Sequence, residues 1–198
     1  MAKPGRSLAG GRTALLVIDA LNTFDFSGGD RLHEAAQAIV APIQRLRAAA
    51  HAAECPVVHA NDNYGRWRDE PSDLIAWLQR PDARGRDVAT ALAPDDASYF
   101  VIKPETSAFY ATVLPALLPR LEVSRLILCG LATDICVLFS ASDAHMREDP
   151  LWVPADAVAG EDAERTSWAL DLMRESMGAE IGTTEAVDPA DWFEPAGS

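Results

Sequence analysis

The sequence has little cysteine and no long apolar run, and each shortage excludes a class of protein. Three cysteines, Cys55, Cys129 and Cys136, are an odd and sparse set in 198 residues. They do not form a disulfide framework, so we expect the chain to work in a reducing compartment, the cytoplasm. No stretch approaches the roughly 20 uninterrupted apolar residues that a membrane-spanning helix requires.

Basic residues are also scarce. Seventeen Lys and Arg stand against 30 Asp and Glu, which gives a formal net charge of -13 and a pI near 4.6. Such a surface repels phosphate backbones and anionic membranes, so we expect neither a nucleic-acid partner nor a membrane partner. The first residues, MAKPGRSLAGGRT, lack the apolar run of a signal peptide. The remaining candidate for a ligand is a small molecule.

Short apolar runs rich in β-branched residues predict buried strands. Four of them are TALLVID (13–19), PVVHAND (56–62), YFVIK (99–103) and SRLILCG (124–130). Continuous runs, as opposed to alternating ones, are typical of strands covered on both faces of a parallel sheet. A fifth run, PLWVPADAV (150–158), is interrupted by Pro154, and AEIGT (179–183) predicts a further edge strand.

Helix-like segments lie between these runs. They cover residues 33–54, where Pro42 is expected to kink or divide the helix, and residues 72–80 and 162–180. Strands that alternate with helices form right-handed βαβ units. We therefore predict an α/β fold, a three-layer α/β/α sandwich around a mostly parallel six-stranded sheet. Ligands in such folds bind beyond the carboxyl ends of the strands.

Two charged residues end predicted strands. Asp19 closes the first strand, and Lys103 closes the third, where Pro104 keeps it extended. Taken alone, each has an ordinary explanation: Asp19 as a loop carboxylate and Lys103 as a side chain that reaches solvent. Together they place opposite charges at one edge of the sheet.

Cys136 lies just after the fourth strand, in LILCGLATDICVLF. A helix that begins near Thr133 or Asp134 would place Cys136 in its first turn. There, free backbone N–H groups and the helix dipole favour a thiolate and can hold an oxyanion. The alternative is a buried apolar cysteine, which describes Cys55 and Cys129 better. A thiol, a carboxylate and an ammonium at neighbouring strand ends are the parts of a covalent hydrolase.

The chain resembles the isochorismatase-like cysteine hydrolases over about residues 13–183, and we treat residues 1–198 as one domain with that core. The motifs that carry the resemblance are VID-x-x-N-x-F, VIKP-x-x-S-AF and CG-x-x-T-x-x-CV, in that order. The resemblance implies a catalytic triad of Asp19, Lys103 and Cys136. It also implies a cis peptide between Leu131 and Ala132, which would point the Ala132 N–H toward the oxyanion beside the Cys136 N–H.

The segment after the second strand departs from one branch of this family. Nicotinamidases bind a metal there through an Asp-x-His motif with further histidines. The segment VVHANDNYGRWRDE has no such motif, and four scattered histidines form no cluster, so we expect no metal and no other cofactor. Its polar and aromatic residues can shape a substrate pocket or form a structural turn. The predicted pocket residues are Phe24, Asn61, Asn63, Tyr64, Trp67 and Phe109.

The resulting hypothesis is a cysteine-dependent hydrolase that cleaves an amide or related C–N bond of a small molecule through a thioester. One alternative is an isochorismatase proper, which cleaves a vinyl ether and releases pyruvate and has no obvious need for a thiol. Another is a non-catalytic binding or assembly module, which would have no reason to keep a reactive thiol. The resemblance further suggests a homo-oligomer, either a dimer or a tetramer.

Overall fold

The computed structural model describes residues 11–194. Six parallel strands form one sheet in the order β3-β2-β1-β4-β5, with β6 also paired to β4. The strands are β1 (Arg12–Ile18), β2 (Val57–Asn61), β3 (Tyr99–Ile102), β4 (Val123–Leu131), β5 (Leu151–Trp152) and β6 (Val158–Ala159). This arrangement confirms the predicted parallel α/β sheet.

Seven α-helices and one π-helical turn connect the strands of the described chain. The helices are α1 (Gly29–Ala52), α2 (Pro71–Leu78), α3 (Arg86–Ala91), α4 (Leu114–Arg120), α5 (Leu138–Met146), α6 (Ala163–Met177) and α7 (Pro189–Phe193); the π turn is Thr133–Val137. None of these helices is long and apolar enough to cross a membrane. Pro42 lies inside α1, which continues through it.

Both faces of the sheet are buried, because successive residues of a strand point to opposite sides. Leu15 and Val17 of β1 pack into a core shared with α1, α2, α3 and α7. Leu16 and Ile18 pack into a second core shared with α4, α5 and α6. The helices thus form two outer layers around the central sheet, which is the predicted three-layer sandwich.

The far edge of the sheet differs from the prediction. The run 150–158 forms two short strands, β5 and β6, separated by Pro154. The segment 179–183 contributes only an isolated bridge between Trp152 and Glu180. Proline has no N–H to donate to a neighbouring strand, so the ladder breaks at that residue and resumes on β4. The sheet reaches six strands by this division.

Candidate active site

Three strand ends meet at the carboxyl edge of the sheet. Asp19 follows β1, and its N–H donates to the Ala60 carbonyl of β2 at 2.9 Å. The Lys103 N–H donates in turn to the Asn61 carbonyl, also at 2.9 Å. These ladder bonds continue the parallel pairing just beyond the regular strands, so both charged residues start from rigid backbone.

Gly130 makes the turn at the end of β4 possible. Its φ is +113, and a Cβ at this position would lie 2.0 Å from the Ile18 carbonyl oxygen of β1. A side chain is therefore excluded both by the backbone conformation and by the neighbouring strand. The chain then enters the π turn, in which the Val137 N–H donates to the Ala132 carbonyl at 3.2 Å. Single π turns inside helices occur frequently at functional sites.

The structure brings Asp19, Lys103 and Cys136 together. The Lys103 Nζ lies 2.8 Å from Asp19 Oδ2 and 3.6 Å from Cys136 Sγ. It also donates to the Glu105 carbonyl at 2.6 Å. The ammonium thus has three partners, two of them the other members of the predicted triad. Asp19 is held from the opposite side by the Asp62 N–H, which donates to Oδ1 at 2.8 Å.

Burial and the interactions among the three groups together set their pKa values. It raises the pKa of Asp19 above its usual range, although the Lys103 charge and the Cys136 and Asp62 hydrogen bonds oppose it. For Lys103, burial lowers the pKa, but the charges of Asp19 and Cys136 outweigh it and the net shift is upward. Lys103 and Asp19 thus lie together as a buried pair, in which the net shift favours the charged form of Lys103 and burial disfavours the charged form of Asp19.

The Cys136 thiol is not the low-pKa thiol that its helical position predicts. Burial and the Asp19 charge raise the pKa of Cys136 to about 12, although Lys103 lowers it. The favourable field of a helix start falls off within one turn, and here desolvation and a neighbouring carboxylate are stronger. Cys136 is thus a neutral thiol at rest beside a carboxylate of raised pKa, which is a better proton acceptor than an ordinary one.

The expected cis peptide is not present. Every peptide bond of residues 11–194, including the bond between Leu131 and Ala132, is trans. The trans form of a non-proline bond is favoured by about 3 kcal/mol. Here Gly130 supplies the unusual backbone conformation that the turn requires, with its positive φ. The role of the Ala132 N–H in an oxyanion site remains a prediction.

The predicted pocket residues fall into different environments. Asn61 is buried, and its amide group accepts from the Leu21 N–H at 3.0 Å and donates to the Leu21 carbonyl at 2.9 Å. It also donates to the Asp62 carbonyl at 3.0 Å. Asn61 therefore uses its hydrogen-bonding capacity to fasten the loop after β1. These hydrogen bonds are enough to explain why Asn61 is buried, and a place for it in the substrate pocket stays a prediction.

Asn63 and Tyr64 follow in the same loop. The Asn63 Oδ1 accepts from the Gly65 N–H at 3.1 Å, which is an Asx turn, while its buried Nδ2 has no partner among the described residues. The Tyr64 hydroxyl donates to the Leu21 carbonyl at 2.9 Å. Burial, together with the nearby charges of Asp19 and Asp62, raises the pKa of Tyr64. The loop thus closes around the Asp19 side of the site.

The three other aromatic candidates differ in how far they are buried. Phe24 is fully buried and its ring lies 5.0 Å from the ring of His33. Phe109 is likewise buried, in the core shared with α4, α5 and α6, whereas Trp67 is 65% exposed. These positions are explained by packing for Phe24 and Phe109, and Trp67 does not belong to the buried part of the loop.

No metal site forms among the described residues. Within residues 11–194, no three His, Cys, Asp or Glu side chains lie together so that they could hold an ion. Burial lowers the pKa of His59 to about 3, with a further contribution from Arg47. His59 lies near Arg47 and Asp95, and within residues 11–194 it belongs to no group of three possible metal ligands, so it does not fit the metal site of a nicotinamidase.

Comparison with known proteins decides the family. Residues 13–186 match the Isochorismatase domain model. The chain belongs to the isochorismatase family. It is 40% identical over 174 residues to the uncharacterized isochorismatase family protein YaaI of Bacillus subtilis, covering 88% of this chain and 95% of that protein.

Solved structures of this family share the fold. A cysteine hydrolase from Pseudomonas syringae superimposes with a TM-score of 0.73 at 26% identity, covering 98% of this chain and 100% of that one. An N-carbamoylsarcosine amidase from Thermoplasma acidophilum gives a TM-score of 0.68 at 27% identity, covering 89% and 99% of the two chains. The chain is a hydrolase of this family with a small-molecule substrate.

Two contacts of the site have little or no signal in the sequence. The Glu105 carbonyl and the Asp62 N–H hold the ion pair through backbone atoms, which residue identity does not reveal. A third residue, Ser140, lies four positions after Cys136 and donates to its carbonyl at 2.7 Å. That spacing is visible in the sequence, since residues four apart on a helix share a face.

Proposed function

We propose that this chain hydrolyses an amide or related C–N bond of a small molecule through a thioester at Cys136. The observation that carries the proposal is the contact of one ammonium, Lys103, with both the Asp19 carboxylate and the Cys136 sulfur. This arrangement provides a nucleophile, a proton acceptor and a fixed positive charge in one buried place. Amidases among the relatives, such as the N-carbamoylsarcosine amidase of Arthrobacter, support the same reaction class.

In the first half of the cycle, the thiol adds to the substrate carbonyl. As the S–C bond forms, the thiol proton passes to Asp19, whose raised pKa makes it a competent acceptor. The carbonyl oxygen becomes an oxyanion, for which we propose the N–H groups of Ala132 and Cys136 as donors. Asp19 then protonates the leaving nitrogen, the C–N bond breaks, and ammonia or an amine departs.

In the second half, water replaces the amine. Asp19, again a carboxylate, takes a proton from the water as its oxygen adds to the thioester carbonyl. The C–S bond breaks, the acid product leaves, and the sulfur recovers its proton from Asp19. Lys103 keeps its proton throughout, and its charge stabilises both the carboxylate and the developing thiolate. The cycle consumes one water and needs no cofactor.

Substrate recognition is assigned to the loop after β2 and its surroundings. Of the predicted pocket residues, Asn63 has the strongest support, because its buried amide nitrogen has no partner within residues 11–194. A substrate acceptor placed there would satisfy it. Tyr64 lies near both Asp19 and Cys136 and offers an apolar ring surface beside them.

We also infer the extent of the domain, the assembly state and the cellular location of the protein. We infer one domain with its core at residues 13–183, which nearly coincides with the matched family region. Exposed apolar side chains on the π turn, α5 and α6, namely Ile135, Phe139 and Trp168, support a homo-oligomer. Three free thiols support work in the cytoplasm, a reducing compartment.

The test is ammonia release from a panel of small amides, ureido acids and nicotinamide. Wild type is compared with Cys136→Ala and with Cys55→Ala, a matched control at a buried cysteine whose sulfur contacts the Phe193 carbonyl, away from the site. We expect ammonia from one substrate class, lost in Cys136→Ala and kept in Cys55→Ala. Equal ammonia release by Cys136→Ala, or pyruvate release from isochorismate with no ammonia from any amide, would contradict the proposal.

A further inference from the structure

One buried hydroxyl connects the segment that begins with Lys103 to the π turn that carries Cys136. Ser140 lies in α5 and is fully buried. Its Oγ donates to the Cys136 carbonyl at 2.7 Å and accepts from the Ala108 N–H at 2.9 Å. Ala108 belongs to the irregular segment 103–113, which begins with Lys103 and leads from β3 to α4.

A second tie joins the same two parts of the chain. The Ser107 hydroxyl donates to the Asp143 carboxylate, one turn further along α5. The same hydroxyl accepts from the Phe109 N–H at 3.1 Å. Ser140 and Asp143 therefore bond neighbouring residues of segment 103–113, Ala108 and Ser107. Lys103 begins this segment, and its ammonium donates to the Glu105 carbonyl within it.

The Ser140 contacts go beyond what a helical serine makes by default. Serine in a helix often bonds the carbonyl four residues earlier, and that bond alone has no meaning for a site. Here the hydroxyl also accepts from a backbone N–H of another segment, so its donor and acceptor capacities are both used. The carbonyl it holds belongs to the proposed nucleophile itself.

We propose that Ser140 is a positioning residue, which sets the approach of the Lys103 ammonium to the Cys136 sulfur, and that Asp143 supports it through Ser107. The inference rests on the proposed function for its kinetic consequence, but its structural content does not. Ser140 touches neither the reacting atoms nor Lys103, and it acts through the backbone of residues 103–109. A displacement of about 1 Å in a catalytic group can lower a rate about a hundredfold.

The experiment compares Ser140→Ala, Ser140→Thr and Asp143→Ala with wild type. The matched control is Thr184→Val, since Thr184 is also buried and its hydroxyl also has two partners, Asp156 at 2.7 Å and Arg45 at 2.6 Å. The contacts of these partners are with Thr184 and, for Arg45, Glu185, and none of them is with a residue of the candidate triad. The readouts are kcat and KM for the substrate found in the ammonia panel, and the rate at which iodoacetamide labels Cys136 at pH 8.

We expect Ser140→Ala to lower kcat by about tenfold to a hundredfold with KM within about threefold. Ser140→Thr, which keeps the hydroxyl, restores kcat, and Thr184→Val keeps it. Asp143→Ala lowers kcat in the same direction and serves as the second test if Ser140→Thr does not fold. Wild-type kcat in both Ser140→Ala and Asp143→Ala would overturn the inference.

The labelling rate separates this inference from the proposed function. If the wild-type protein releases no ammonia, the proposed function fails while Ser140 can still be tested. In Ser140→Ala, we expect the Lys103 ammonium to lie further from the Cys136 sulfur, so that less of the thiol ionises. Iodoacetamide then labels Cys136 more slowly in Ser140→Ala than in wild type or Thr184→Val. An unchanged labelling rate in Ser140→Ala would contradict the positioning role on that readout.

Discussion

The Lys103 ammonium lies 2.8 Å from Asp19 Oδ2, and both side chains are almost fully buried. Neither charge has bulk water to stabilise it, so each depends on the other and on hydrogen bonds from the Glu105 carbonyl and the Asp62 N–H. The pair holds a carboxylate of raised pKa against a neutral thiol.

Removal of one member of the ion pair destabilises the protein more than removal of both. Lys103→Met leaves the Asp19 charge buried without its partner, so we expect a loss of about 3–5 kcal/mol in the free energy of unfolding. Asp19→Asn combined with Lys103→Met removes both charges and recovers part of that loss. Urea unfolding at pH 7 measures both variants. A double variant as unstable as Lys103→Met would show that the pair is not coupled in this way.

Neutralising Asp19 changes labelling and turnover in opposite directions. The Asp19 charge raises the pKa of Cys136, so Asp19→Asn lowers that pKa and speeds iodoacetamide labelling of Cys136 at pH 8. The same variant loses the proton acceptor, and turnover falls by about a hundredfold or more. Peptide mass spectrometry over time gives the labelling rate, with the buried Cys129 as internal reference. Labelling no faster than in wild type would contradict the assigned charge interaction.

Gly130 tolerates no side chain, in contrast to Gly178, which also has a positive φ. A Cβ at Gly130 meets the Ile18 carbonyl oxygen at 2.0 Å, whereas one at Gly178, with φ of +69, meets nothing within 4 Å. We expect Gly130→Ala to cost about 3 kcal/mol or more and Gly178→Ala about 1–2 kcal/mol. Urea midpoints measure both. Equal losses would show that the close approach of β1 to β4 does not restrict this position.

His59 makes the protein less stable in mild acid. Burial lowers the pKa of His59 from 6.5 to about 3, so between these values the unfolded chain binds a proton that the folded chain does not. Stability therefore falls as pH drops through this window, by about 1.4 kcal/mol per pH unit.

The His59 effect is isolated by comparing pH profiles of unfolding free energy. His59→Leu removes the titrating group, so its profile between pH 6.5 and 4 is flatter than that of wild type by this slope. His145→Leu, at an exposed position, is the control and keeps the wild-type slope. Parallel profiles for wild type and His59→Leu would mean that His59 binds its proton equally well in the folded and the unfolded protein, which contradicts the lowered pKa.

The strands and main helices could be predicted from the sequence because apolar runs and helically spaced apolar residues indicate which segments are buried. The run 99–103 gave β3, Tyr99–Ile102, and the segment 162–180 gave α6, Ala163–Met177. Of the two expected effects of Pro42, division of α1 does not occur, because the helix runs from Gly29 to Ala52. Ile39, Ile43 and Leu46 on either side of this proline are buried in one core, and this packing outweighs the lost hydrogen bond.

The composition of the site was more predictable than its physical state. Asp19, Lys103 and Cys136 could be singled out because each stands at the end of a buried run or at a helix start. The raised pKa of Cys136 could not, since it depends on burial and on the distance to Asp19. For the same reason, the hydrogen bonds of the Asn61 amide to Leu21 could not be predicted, and a place for Asn61 in the substrate pocket stays a prediction. Such contacts join segments far apart in the chain.

The central claim is a covalent intermediate at Cys136, and trapping it is the most direct test. A substrate from the ammonia panel is mixed with the enzyme, and the reaction is quenched in acid within milliseconds. The protein is then digested, and the mass of the peptide that contains Cys136 is measured by mass spectrometry. We expect this peptide to gain the mass of the acyl group, the adduct to appear no later than ammonia, and hydroxylamine to remove it. Full ammonia release with no adduct at Cys136, and with undiminished turnover in Cys136→Ala, would contradict the account.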